Sequence, residues 1–532
     1  HLALEIPPSE EALFIKVFQY SGENSGVLEW VKAQARQHNE ENSDVLDLAA
    51  VKEGGPPRWA EKITTAGYLK NTRPHYNPTT WPKKNKMVDP EPFPYTLDTV
   101  DLPEENPWNA WLRPSDLAFF PDGRLALCTY GGDVWVIDGL DDDLETVTWK
   151  RYAAGLFEPL GLLVVENKIM VTCRDAIIRL HDFNGDDEAD YYEHFFTDPE
   201  VANGFHAYNF GLVQDSKGYF YYVKPGLYTD YTQPGAVIQV SPDGSSHKII
   251  AKGFRVNNGL AMGEDDVLLV TDNQGQWTPG NEINVIEEGA FYGVYQRKPK
   301  KPGPFKRPML YLPQEFDNSP GSPLWLNDER FGPLKGNILG TSFGKGWLYY
   351  MLPTDIQGEP HAAAVAFPFQ GDAGIMRART NPVDGQVYAV GLTGWDTEAV
   401  SKDGCLVRLR YTGDAGCVPT AYTVQSEKIT LRFSSPLDPA YTSLCAHYNL
   451  SAWNYHWTAE YGSDPWSLKN PDKKGADPWQ VQKVDISEDG QELTLHVPDL
   501  QPVDQLRLVL ELRTATGQNL EHVLYTTLNT MP

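Results

Sequence analysis

LAFFPDGRLALCTYGGDVWVID, Leu117 to Asp138, holds three short apolar runs separated by two turns: Pro121-Asp122-Gly123 folds the first back on the second, and Gly131-Gly132 the second on the third. Apolar runs of this length, punctuated by Gly, Pro and Asp, read as half-buried antiparallel strands. The same order recurs in GLLVVENKIMVTCRDAIIRLHDFNGD (Gly161 to Asp186), in GLVQDSKGYFYYVK with AVIQVSPDG (Gly211 to Gly244), and in GLAMGEDDVLLVTDNQG with NEINVI (Gly259 to Ile286). A less regular copy, GNILGTSFGKGWLYYML, covers Gly336 to Leu352, and MRARTNPVDGQVYAV with CLVRLRYTG covers Met376 to Gly413. Copies starting roughly 40 to 77 residues apart are the signature of a β-propeller whose four-stranded blades carry insertions in some loops. The expected fold is therefore all-β: a six-bladed propeller, with seven blades the other count the spacing allows.

The repeat occupies residues 101–415, and both flanks read differently. Residues 1–100 lack it: Glu10 to His38 has helical stretches, and Gly54 to Pro94 is rich in Pro, Lys and Asn, as in an extended wrap or linker. Residues 416–532 alternate strictly in YTVQSEKITLRFSSPLD, VQKVDISEDGQELTLHVPDL and DQLRLVLELRTATGQNL, with Asp489-Gly490 as a hairpin turn. That pattern predicts an antiparallel β-sandwich. Its insert WNYHWTAEYGSDPW, Trp453 to Trp466, is unusually aromatic and either packs against the propeller or presents a sugar-stacking surface.

A net charge of −27, from 45 basic and 72 acidic residues, argues against nucleic acid as a partner, since a basic stripe would be needed. Fifteen Trp and twenty-seven Tyr suit either carbohydrate handling or the filling of blade cores. No run of eighteen apolar residues offers a membrane span, and His1-Leu2-Ala3-Leu4 lacks the charged start of a signal peptide, so the chain reads as mature or trimmed. Of five cysteines, Cys128 and Cys173 sit in blade strands, and Cys405 with Cys417 could form a bridge, which leaves an odd thiol.

Two sets of residues carry candidate chemistry. In DFNGDDEADYYE the oxygens of Asp182, Asn184, Asp186, Glu188 and Asp190 stand at alternate positions around Gly185, and Glu193 closes the set at position twelve. Hard oxygens at that spacing suit a structural calcium ion; the alternative is an acidic, solvated turn. The second set lies where blades begin, in loops that line one mouth of a propeller channel. His206 and Asn209 in NGFHAYNFG, Arg255, Asn257 and Asn258 in GFRVNNG, Arg377 in IMRART and Lys345 in the fifth copy are expected to converge there. An imidazole among fixed cations could act as a general base on a substrate hydroxyl while the cations hold an anionic ligand. Alternatively, His206 caps a loop and the arginines brace blades through carboxylates.

GFRVNNGLA and VTDNQGQWTPGNEINVIEEGAFYG, Gly253 to Ala261 and Val270 to Gly293, resemble the fourth-blade region of the soluble quinoprotein glucose dehydrogenases and related aldose sugar dehydrogenases. The resemblance implies a six-bladed propeller with pyrroloquinoline quinone at the channel mouth and calcium beside it. By it, His206 is the base, Arg255 and Arg377 hold the quinone with Asn257, Asn258 and Lys345, and the loop from Asp272 through Gln274 to Gln276 supplies the calcium ligands. The chain departs from the family where Phe205 and Val256 stand in place of an acid and an Asn, and Lys345 is one position out of register. From about Glu53 onward the arrangement is similar to large bacterial secreted proteins that join such a propeller to a C-terminal cytochrome c module. That similarity implies a periplasmic or extracellular location. The sequence has no Cys-x-x-Cys-His, so an electron-accepting cytochrome c is expected either to have been removed or to be a separate partner.

The expected function is a calcium-dependent quinoprotein dehydrogenase oxidising a sugar or sugar-alcohol hydroxyl. The alternatives are a lyase or hydrolase acting on an anionic glycan through His206, Tyr208 and Arg255, and a non-catalytic glycan-binding propeller.

Overall fold

The computed structural model describes residues 54, 57–69, 93–202, 204, 206–226, 235–295, 303–394, 397–414 and 416–532. The helical stretches expected between Glu10 and His38, most of the Gly54 to Pro94 wrap, and Phe205 lie outside the described residues.

The protein is an all-β propeller. Its strands pair antiparallel, neighbour to neighbour, in the order that the turn chemistry sets. The first sheet runs outward from Pro114–Phe119 through Leu125–Thr129 and Val134–Asp138 to Val147–Ala153. The second and third sheets start at Gly161–Val165 and Phe210–Gln214 and repeat that plan, and the fourth runs from Leu260–Met262 to Leu310–Leu312. The fifth begins with the two-residue strand Leu324–Trp325, and the sixth begins with Gly374–Thr380.

The innermost strands contact one another around a ring. Leu162 N–H donates to Asp116 Oδ2 at 2.9 Å, Gly211 N–H to Leu160 O at 2.9 Å, Leu260 N–H to Ser322 Oγ at 3.3 Å and Ser322 N–H to Met376 O at 2.8 Å. Such tight approach needs small residues at the strand starts. A Cβ on Gly161 would lie 2.4 Å from the carbonyl carbon of Gly211, and Gly211 itself has φ +68°. Between the sheets the aromatic residues fill the core: Trp135, Trp149, Trp347, Tyr350 and Tyr388 are among the largest fully buried side chains.

Three features differ from the sequence reading. Tyr95–Val100, placed in the N-terminal segment, pairs with Gly404–Tyr411 and so supplies the sixth sheet's outer strand. Strands Lys62–Thr65 and Gly67–Tyr68 add to the outer edges of the first and sixth sheets. The C-terminal residues are not separate from the ring either. Asn519–Leu528 pairs with Glu359–Gln370, extending the fifth sheet through Val503–Arg513 and Tyr448–Trp453 to eight strands. A four-stranded sheet, Pro419–Gln425, Lys428–Phe433, Glu492–His496 and Lys483–Ile486, shares one buried core with this extension and with Tyr350 and Phe367 of the fifth sheet. Cys405 and Cys417 are both buried and unbridged. Among the described residues, no helix is long and apolar enough to cross a membrane.

Candidate active site at the propeller mouth

The loops before the innermost strands surround a cavity of about 390 Å³, within the size range of small-molecule sites. His206, Arg255, Asn258 and Gln274 all line it: Arg255 and Asn258 share one loop, His206 comes from another, and Gln274 follows strand Leu268–Asp272. Burial, and secondarily the Arg255 guanidinium, lower the His206 pKa from 6.5 to about 4, so the imidazole is neutral at ordinary pH.

Arg255 is fixed from below and above. The buried carboxylate of Asp272 accepts the N–H groups of Arg255 and Val256, each at 2.6 Å, and that of Asn273 at 3.0 Å. Burial raises the Asp272 pKa to about 6 in spite of these bonds. Above, Arg255 Nε donates to Gln276 Oε1 at 3.2 Å, and a Cβ on Gly275 would fall 1.9 Å from that Nε. Only glycine at position 275 lets the guanidinium lie against this loop.

The structure gives the remaining predicted residues other work. Arg377 is fully buried and does not line the cavity. Its Nη atoms donate to Asn258 O at 2.9 Å, Asn258 Oδ1 at 3.3 Å and Leu160 O at 3.4 Å, and its Nε stands 3.9 Å from Asp116 Oδ2, too far for a hydrogen bond. Burial lowers its pKa to about 10 against the pull of Asp116. Arg377 thus braces Asn258 beneath the cavity. Lys345 also lies off the wall, its ammonium paired with Glu398. Asn257 is buried, its amide donating to Ala236 O at 3.4 Å, and Asn209 donates to Cys173 O, Arg174 O and Asp198. Asp272 spends its oxygens on backbone N–H groups.

The acidic loop is a set of capped turns in the described structure. Asp182 accepts the N–H groups of Gly185 and Asp187, Asn184 that of Asp186, Asp186 that of Glu188, and Asp190 that of Phe183. Glu188 turns inward to Lys150 at 2.7 Å, while Glu193 bonds His181 at 2.6 Å and stands 3.4 Å from Arg179. The expected six-residue ligand set is therefore not gathered around one point. Among the described residues, no group of three or more His, Cys, Asp or Glu side chains is placed to hold a metal ion.

Sequence reasoning missed part of the wall. Gln314, Asn318 and Ser319 come from the loop before the fifth sheet, where QEFDNSPGSP offered a polar strand-leading segment like those around His206 and Arg255. Tyr208, expected at the mouth with His206 and Arg255 in the lyase reading, does line the cavity, its hydroxyl 3.0 Å from that of Tyr130. Three amide oxygens of wall residues, Asn273 Oδ1, Gln274 Oε1 and Asn318 Oδ1, are buried without a hydrogen-bond partner in the described structure. The most distant contributor is Tyr461, from the aromatic insert, whose ring centroid lies 5.1 Å from the Arg255 guanidinium.

No protein-family model matches the chain, and no curated protein matches it in sequence. Solved structures similar to it in fold include two bacterial proteins. One is a Thermus thermophilus protein labelled a glucose dehydrogenase, with 16% identity, 56% of this chain and 96% of that chain covered, and a TM-score of 0.42. The other is the PQQ-bound aldose sugar dehydrogenase of Streptomyces coelicolor, with 15% identity, 60% and 99% coverage, and a TM-score of 0.44.

Proposed function

We propose that the chain is a quinoprotein-type dehydrogenase oxidising a sugar or sugar-alcohol hydroxyl at the propeller mouth. The observation that carries this reading is a neutral imidazole, His206, on the wall of the same cavity as the fixed guanidinium of Arg255. A neutral imidazole can take a hydroxyl proton at its unprotonated ring nitrogen, and a guanidinium holds an anionic group through paired N–H donors.

The residues present fit a flat anionic quinone in a reduced form of the family's arrangement. Arg255 supplies the cation and the amides of Asn258, Asn273 and Gln274 supply polar contacts, while Arg377 and Lys345 are engaged elsewhere. When bound, such a quinone supplies the two-electron acceptor. The unpartnered oxygens of Asn273, Gln274 and Asn318 are hard donors that suit calcium beside it. Asp272 acts here through Arg255, holding its backbone in place. A carbohydrate substrate, a separate cytochrome c as the final acceptor, and a periplasmic or extracellular location belong to the same proposal.

The test is to add pyrroloquinoline quinone and calcium to the full chain and follow both the bound chromophore and dye reduction with a panel of aldoses. The expected result is a stoichiometric chromophore and turnover with at least one sugar. His206→Ala should keep the chromophore and lose turnover. Absence of bound quinone in the wild-type protein refutes the reading. A second reading is favoured by Tyr208 lining the same cavity as His206 and Arg255: base, hydroxyl and cation are the groups a lyase needs on an anionic glycan. An unsaturated product absorbing in the ultraviolet, formed without quinone, identifies that activity.

A further inference from the structure

Residues 453–466 belong in sequence to the C-terminal strands, yet they are bonded along the rim of the fourth sheet. Trp277 N–H donates to Thr458 O at 2.8 Å, Gly462 N–H to Gly275 O at 3.0 Å and Ser463 N–H to Pro279 O at 3.0 Å. Trp457 anchors the segment, its ring 5.1 Å from that of Trp277 and 4.3 Å from that of Phe305. Gly462 has φ +63°, and a Cβ there would fall 2.1 Å from Gln274 Nε2, so the chain turns directly against the cavity wall. Tyr461 lies between these anchors and is 59% exposed. Its neighbours hold it in place, but burial gives no reason for an aromatic residue there, because most of the ring remains in solvent.

We propose that Tyr461 is the stacking platform of a saccharide-binding subsite, lent to the propeller mouth by the C-terminal strands. A pyranose ring has an apolar C–H face and a rim of hydroxyl donors. The face suits the exposed ring of Tyr461, and the hydroxyls suit the side chains of Gln314 and Ser319 on the same wall, which leaves the oxygens of Asn273, Gln274 and Asn318 to the cation. The ligand class is a neutral sugar or oligosaccharide, and the choice among sugars depends on a residue outside the propeller repeat. This inference rests on the mouth being the site of sugar oxidation and assigns the group that selects the sugar.

The test compares full-length wild type, Tyr461→Ala and Tyr461→Phe for binding to a panel of neutral oligosaccharides by titration calorimetry, with quinone uptake and thermal melting measured in parallel. The expected result is that wild type and Tyr461→Phe bind the same sugar equally, and that Tyr461→Ala binds it about tenfold more weakly, as expected for loss of one aromatic face. Melting temperature should be alike in all three, and Tyr461→Phe, which keeps the ring over Arg255, should take up quinone as wild type does. The proposal is overturned if Tyr461→Ala binds sugars as tightly as wild type, or if wild type binds none of the panel. If sugar binding depends on Tyr461 while no variant takes up quinone, the dehydrogenase reading falls and the subsite stands.

Discussion

Arg255 and Arg377 were expected to do the same work at two points of the ring, and the fold separates them. Arg255 lies in the loop before Leu260–Met262, on the rim, where its guanidinium meets Gln276, the ring of Tyr461 and the cavity. Arg377 lies inside strand Gly374–Thr380, so its side chain is directed into the ring and meets Asp116 from the first sheet, Leu160 O before the second and Asn258 before the fourth. A cation at a blade start becomes a ligand holder or a brace according to what stands across the channel. Where carboxylate and carbonyl oxygens face it, the desolvation cost of the buried charge is offset within the protein, and little remains for a ligand.

The most direct way to break this contrast is Arg377→Met. Removing the cation takes the guanidinium donors from the buried oxygens of Asn258 and a positive charge from beside the buried Asp116 carboxylate, although Arg379 still stands 3.3 Å from Asp116. The expected loss is about 3–5 kcal/mol of stability, read by denaturant unfolding. Unchanged stability with lost quinone binding would reverse the roles assigned to the two arginines. Arg255→Met sharpens the contrast from the other side. Quinone affinity should fall by about 1.5–3 kcal/mol, the worth of a hydrogen bond to a charged group, with a smaller effect on unfolding. A binding titration beside a melting curve separates the two outcomes.

The next effect is on pH dependence. His206 has a folded pKa of about 4 against 6.5 for the free side chain, so the base stays unprotonated above about pH 4. The acid limb of kcat/KM should therefore lie near 4. Stability follows the same direction: the unfolded chain takes the proton first, so stability declines as pH falls from 6.5 towards 4. Arg255→Met should move the limb upward and still leave it below 6.5, because burial, the larger cause, remains. A limb at 6.5 in the wild type would show that His206 is not the base. The smallest effect is expected at Lys345, whose partner Glu398 is one-third exposed. Lys345→Met should cost less than about 1 kcal/mol and leave ligand binding unchanged.

Strand pairing was largely legible because alternation and turn residues act locally: Pro121-Asp122-Gly123 and Asp489-Gly490 each join two paired strands. The fifth sheet was harder, since its innermost strand, Leu324–Trp325, is two residues long and follows a Pro-rich loop. Tyr95–Val100 falls outside the repeat in sequence because a strand that closes a ring is paired across more than 300 residues, a distance over which no periodicity reports. The acidic loop misled for a related reason. Alternate Asp and Asn residues have the spacing of a cation site and also of successive capped turns, and the second use is the one in the described structure.

By itself the sequence determined the antiparallel strands, their turns and the repeat, because a strand's two faces and a turn's backbone angles depend on residues a few positions apart. It also marked His206 and Arg255 as polar groups at blade starts. Only the tertiary structure decided that these two share a cavity, that Arg377 is tied to Asp116 and Asn258, and that Tyr461 reaches the mouth from the far end of the chain. Those outcomes depend on which groups the closed ring sets opposite one another, and the cost of burying a charge depends on that partner rather than on its neighbours in sequence.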